Sequence, residues 1–212
     1  MASVMLMMAG CQKDNNDNNG NDNPGNEPGD EPQTELLAPE VISKEIVRLP
    51  TGFNTLFVKF HNPNDTYVDY SYDVDFMRNG EVLIQETNLL GTIPSNENRM
   101  DWINATASGN IPDNIDEIVV KNIQYGEALY HYVKLNLTKE EKYDNGDLHL
   151  VFKAEEQFTV ADIYVVFFYV DQIICHVGKS FINGNAGDEL ECNMETLGEN
   201  YNRYEIYTLA YR

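Results

Sequence analysis

Val74-Asp75-Phe76-Met77-Arg78-Asn79-Gly80-Glu81-Val82-Leu83-Ile84 is the stretch that decides the fold. Val74 and Phe76 lie two residues apart, the spacing of a strand that turns one face to a core. Asn79-Gly80 then offers positive φ at two successive positions at least cost, which predicts a type I′ turn at the tip of a β-hairpin. Outward from this hairpin the chain keeps the same character. Short runs rich in Val, Ile, Phe and Tyr are divided by Asn, Gly, Asp and Pro clusters, so an all-β fold with few helices is expected. Strands are predicted over residues 41–48, 55–61, 67–78, 81–87, 98–104 and 115–123. After a tyrosine-rich junction at 124–130 they resume at 131–138, 147–153, 159–170, 172–179, 188–194 and 204–211.

The second series repeats the first. Val74 and Phe76 align with Val165 and Phe167, and Val82 and Ile84 with Ile173 and Cys175; Glu117-Ile118 then aligns with Glu205-Ile206 after a small deletion. The offset of roughly ninety residues is close to the ~100 residues of an immunoglobulin-like sandwich. Two tandem immunoglobulin-like β-sandwich domains are therefore predicted, over 36–125 and 126–212, in preference to one twelve-stranded domain.

The run from Leu56 through Asn62-Pro63-Asn64 to Val74-Asp75-Phe76-Met77-Arg78-Asn79-Gly80-Glu81-Val82 resembles the FxLYD-like sandwich modules of bacterial surface lipoproteins. An apolar strand, an Asn-rich turn, a long strand ending in Phe and a Gly-containing hairpin follow in that order. Met77, Arg78 and Asn79 stand where that family has Leu-Tyr-Asp, and Val170-Asp171-Gln172 stands where the second repeat should carry the Gly turn. The resemblance covers about a third of the chain and implies no shared catalytic residues.

At the other end, residues 1–10 are apolar and Met-rich and lead into Met8-Ala9-Gly10-Cys11, which resembles a lipobox. In that family the thiol of the cysteine carries lipid and the peptide before it is removed, so the resemblance implies a mature chain anchored through Cys11. No Lys or Arg precedes the apolar run, which reads as a start placed downstream of the true one. Residues 11–35 are almost wholly Asn, Asp, Gly, Pro, Glu and Gln. Such a segment cannot offset a backbone ordering cost of about 1–2 kcal/mol per residue, so a disordered acidic tether is expected. The Lys13-Asp14 that follows the cysteine resembles the export tract of outer-surface lipoproteins of Gram-negative bacteria. Asn15, Asp17, Asn19 and Gly20 match half of an EF-hand loop, but Pro24 interrupts the second half and Asn26 stands where it needs Glu.

The formal net charge of −21 discourages approach to phosphate backbones, so nucleic acid is excluded as a partner. None of the four histidines (His61, His131, His149, His176) lies in a metal-ligand spacing, and no metal or cofactor is expected. His149 is out of phase with Leu148 and Leu150 and should face solvent. Cys175 and His176 are adjacent on a strand and therefore point to opposite faces, which rules out a nucleophile–base pair. Cys175 and Cys192 are the one pair open to a disulfide within the β region, the alternative being two buried free thiols.

Thirteen tyrosines are the one conspicuous enrichment. Tyr125, Tyr130 and Tyr132, at the junction of the repeats, are the candidate ligand platform, since exposed rings stack on sugars or anchor a protein partner. The function expected is a non-enzymatic, lipid-anchored protein of the cell envelope, at the outer-membrane surface of a Gram-negative bacterium. It would bind an envelope protein or serve as a spacer. The alternatives are a glycan-binding accessory lipoprotein of a polysaccharide-uptake system and an extracellular hydrolase.

Overall fold

The computed structural model describes residues 35–104, 106, 109–196 and 198–212. The lipobox-like stretch at 8–11, the calcium-like tract at 15–20 and the expected tether as far as residue 34 lie outside the described residues. Within them the chain forms twelve strands: β1 Glu40–Arg48, β2 Asn54–His61, β3 Val68–Arg78, β4 Glu81–Ile93, β5 Asn98–Ile103, β6 Glu117–Glu127, β7 Leu135–Lys142, β8 Leu148–Ala154, β9 Phe158–Tyr169, β10 Gln172–Gly184, β11 Glu189–Met194 and β12 Arg203–Tyr211. They make four antiparallel three-stranded sheets, β1-β2-β5, β4-β3-β6, β11-β8-β7 and β10-β9-β12. The order of the first two sheets recurs in the last two, strand for strand.

Side-chain parity stacks these sheets in four layers. Leu56, Val58 and Phe60 of β2 pack with Tyr70, Tyr72, Val74 and Phe76 of β3 in one core. Leu148, Leu150 and Phe152 of β8 pack with Ile163, Val165 and Phe167 of β9 in another. A third core lies between the two inner sheets, where Phe57 and Met100 meet Tyr164, Val166, Phe168, Ile173 and Tyr207. Successive side chains of a strand point to opposite faces, so β2 and β9 feed two cores each and are apolar at consecutive positions. The seam between the inner sheets also carries polar ties. The Tyr164 hydroxyl donates to the Met100 carbonyl at 2.9 Å in a buried setting, and Lys59 pairs with Glu205 at 2.9 Å.

Asn79 (φ 52°) and Gly80 (φ 78°) form the two-residue tip between Arg78 and Glu81. At the matching tip of β9–β10, Val170 (φ 51°) and Asp171 (φ 73°) occupy the same left-handed region. A β-branched residue is strained there. Register also refines the repeat. Phe76 faces Ile84 and Phe167 faces Cys175, as the alignment has it. Val74, however, faces Val120 while Val165 faces Ile206, so Ile206 corresponds to Val120 rather than to Ile118. A slip of two residues keeps every side chain on its face, which is why alternation alone does not detect it.

Of the strand boundaries that differ from expectation, two do so for identifiable local reasons. β4 continues past 87 to Ile93 because Asn88 adopts φ 60°, its N–H held by Asp73 Oδ1 at 3.0 Å, and pairing with β3 resumes beyond this bulge. β7 begins at Leu135 rather than 131 because the preceding residues pair elsewhere: Tyr132 bridges to Tyr211 and the Val133 N–H donates to Ala210.

Candidate functional site

Where the inner sheets meet, the edge strands β5 and β10 leave a groove of about 450 Å³, lined by Arg99, Trp102, Asp162, Tyr164, His176, Gly178, Lys179 and Ser180, among others. Pairing sets which side chains reach it. Gly178 lies opposite Tyr164, Ser180 opposite Asp162 and His176 opposite Val166, so these residues share the seam-facing side of the β9–β10 sheet. Gly178 leaves the floor open between them, and a Cβ there would sit 3.3 Å from Cβ of Tyr164.

Aromatic rings form one wall. Trp102 meets Tyr164 edge-on at 4.7 Å between centroids and His176 at 4.9 Å, while Phe57 supports His176 from behind at 5.4 Å. Burial lowers the pKa of His176, so the ring is neutral at pH 7. Its Nδ1 is buried and has no hydrogen-bond partner among the described residues. Beyond Gly178 the lining turns polar: the Ser180 hydroxyl donates to Asp162 Oδ1 at 2.5 Å. The two cations are already engaged. Arg99 donates to Asp101 at 2.9 Å and to the Thr92 carbonyl at 3.2 Å, and Lys179 donates to the Glu191 carbonyl at 2.7 Å.

Two further recesses adjoin this groove. One, lined by Leu49, Pro50, Phe53, Asn104 and Cys175 among others, shares His176 with it; the other, lined by Tyr72, Leu89, Leu90 and Asp101, shares Arg99 and Trp102. Among the described residues, no group of three or more His, Cys, Asp or Glu is arranged to hold a metal ion.

The junction tyrosines are only partly brought together. Tyr132 stacks on Tyr67 at 4.4 Å and lies 6.2 Å from Tyr211, which in turn lies 5.0 Å from Tyr130. The Tyr132 hydroxyl donates to Asp69 at 3.2 Å and also meets the Thr92 hydroxyl at 3.1 Å; burial, with Asp69 beside it, pushes its pKa up to about 12. Tyr132 thus ties the connector to the β3–β4 sheet. Tyr130 remains exposed, and Tyr125 stands apart on β6, opposite Tyr70.

Cys175 and Cys192 are both free and both buried in the second core. The disulfide considered for them is not formed in this structure, and burial pushes each thiol up to about 11. Cys175 faces that core while His176 faces the seam, as strand alternation requires. His149 departs from its expected solvent exposure. It is half-buried, its Nδ1 is 3.0 Å from the Tyr143 hydroxyl, and its Nε2 is enclosed.

The groove residues were not singled out from sequence. Two signals pointed to them: Trp102 is the one tryptophan, and Gly178 interrupts a strand pattern, which marks a bulge or a close approach to the backbone. No protein-family profile matches the sequence, and no curated protein matches it. A solved structure described as a chaperone–tip adhesin complex vital for synergistic activation of CFA/I fimbriae biogenesis is 10% identical, with 81% of this chain and 94% of that chain covered. The TM-score is 0.23, a superposition too loose to carry any argument.

Proposed function

We propose that this chain is a non-catalytic binding protein of the bacterial cell envelope. Lipid on Cys11 holds it at the outer-membrane surface of a Gram-negative bacterium, and the Asn/Asp/Gly/Pro segment serves as its tether. On this reading the folded part is a pair of immunoglobulin-like sandwiches fused through their inner sheets. The fusion makes a rigid support, and rigid strands hold a binding site more accurately than loops do.

The observation that carries the reading is the seam groove, where Trp102 and His176 lie to one side of Gly178 and Asp162 with Ser180 to the other. An aromatic wall with a few convergent polar groups is the usual chemistry of a ligand site. The test is a binding screen of residues 35–212 against isolated envelope proteins and a glycan panel. Saturable binding that Trp102→Ala abolishes supports the proposal, and a Trp102→Ala protein that binds like the parent refutes it. The anchor has its own test. Cys11→Ala, behind a complete signal peptide, should lose incorporation of labelled fatty acid, and persistent labelling would exclude Cys11 as the attachment site.

A further inference from the structure

Building on the groove as a binding site, we infer that its ligand is a neutral, extended oligosaccharide lying along the outer edge of β5. Shape is the first ground. Two recesses on the seam side share His176, and a third, on the Tyr72 side of β5, shares Trp102 and Arg99 with the groove. A row of recesses suits a chain ligand better than a compact one.

The lining chemistry narrows the class. The C–H face of a pyranose carries partial positive charge and lies against the electron-rich face of an aromatic ring, as Trp102 and His176 can offer. Its hydroxyls require acceptors and donors at the rim, and Asp162 and Ser180 supply them beyond Gly178. Gly178 keeps the floor clear for the ring.

Charge excludes the polyanionic members of the class. The chain carries −21, and among the described residues of the groove Arg99 is paired with Asp101, which leaves Lys179, bound to the Glu191 carbonyl, as the one cation without a carboxylate partner, too little for a polyanion of uronates or sulfates. Strand addition by a peptide to β5 is disfavoured for a different reason. β5 is only six residues long, and short edges are poor templates for pairing.

Trp102 makes the test direct, because the one tryptophan lines the groove and its emission reports occupancy. The full chain is titrated with maltohexaose, cellohexaose, mannohexaose and laminarihexaose, with polygalacturonate as the polyanion and an extended Val-Thr repeat peptide as the strand mimic. Calorimetry is run in parallel. The expected result is a saturable change in emission with at least one neutral hexasaccharide. Asp162→Asn should weaken it roughly tenfold, the loss of one charge-assisted hydrogen bond, and Ser180→Arg should abolish it with the near-ultraviolet circular dichroism unchanged. The inference is overturned if no neutral hexasaccharide binds at millimolar concentration, if only polygalacturonate or the peptide binds, or if heat is released without a change in emission and without sensitivity to Asp162→Asn. Binding of an envelope protein that Trp102→Ala abolishes, with no sugar bound, would remove this inference and leave the groove as a protein site. Loss of both would remove the two together.

Discussion

The two halves solve the same hairpin with different residues, and that difference can be put to work. Val170 holds φ 51° at a tip where the first half uses Asn79 at φ 52°. A left-handed conformation costs an L-residue about 1–2 kcal/mol, whereas Asn visits it routinely. Against that gain stands the burial Val170 would lose. The residue is 64% exposed, so replacing it forfeits only about 0.5 kcal/mol of apolar burial. Val170→Asn should therefore stabilise the fold by about 1 kcal/mol, or about 2–4 °C in Tm for a domain of this size. Adding Asp171→Gly should contribute little more, because the relief at φ 73° is offset by the greater freedom of glycine in the unfolded chain. The 3.8 Å contact it deletes, between Asp171 and Arg203, joins a carboxylate that is 95% exposed and counts for little. Urea denaturation followed by far-ultraviolet circular dichroism gives the difference directly. A Val170→Asn protein no more stable than the parent would show that the tip does not hold this residue in the left-handed region.

Other consequences follow from the packing. Gly184→Ala would place a Cβ 2.1 Å from Cζ of the buried Phe158 ring, so overpacking should cost about 1–3 kcal/mol in urea denaturation. Gly126→Ala, with nothing within 4 Å, should be near neutral, and equal effects would contradict the Gly184–Phe158 packing. Phe57→Ala empties a seam position that is 1% exposed and should cost about 3–5 kcal/mol, with a red shift of Trp102 emission; an unchanged Tm would refute the face-to-face seam. Burial lowers the folded-state pKa of His176 below its ordinary 6.5, so between the two values the unfolded chain binds the extra proton. Its contribution to stability is full above about pH 6.5 and is lost progressively as pH falls below it, and His176→Gln should flatten stability measured between about pH 7.5 and 5.5. Cys175 and Cys192 should resist a thiol reagent in the native protein and add two reactive thiols on unfolding without reductant; fewer than two would mean that they are bridged.

All-β architecture was legible because alternation and turn chemistry are local properties. Twelve strands were placed near their observed positions, and the Asn79-Gly80 tip followed from backbone sterics alone. Their boundaries were harder to place. Asn88 reads as a strand terminator, yet Asp73, fifteen residues earlier, caps its N–H and lets β4 continue. The tyrosine cluster at the junction drew attention through composition, but Tyr132 proved to be tied to Asp69 and Thr92, and Tyr125 to lie apart from it.

What the sequence determined by itself is the kind of structure: strands, turns and a repeat of strand order. It even carried a sign of the seam. Tyr164-Val165-Val166-Phe167-Phe168 is apolar without alternation, the mark of a strand buried on both faces. It could not say what covered the second face. Tertiary structure decided that, by setting Phe57 and Met100 against Tyr164 and Phe168, residues between 64 and 111 positions away in the chain. The groove is a product of the same event. Trp102 and His176 lie on the edges of different sheets, and they form a wall only because the seam brings those edges together; no pattern within either strand encodes that distance.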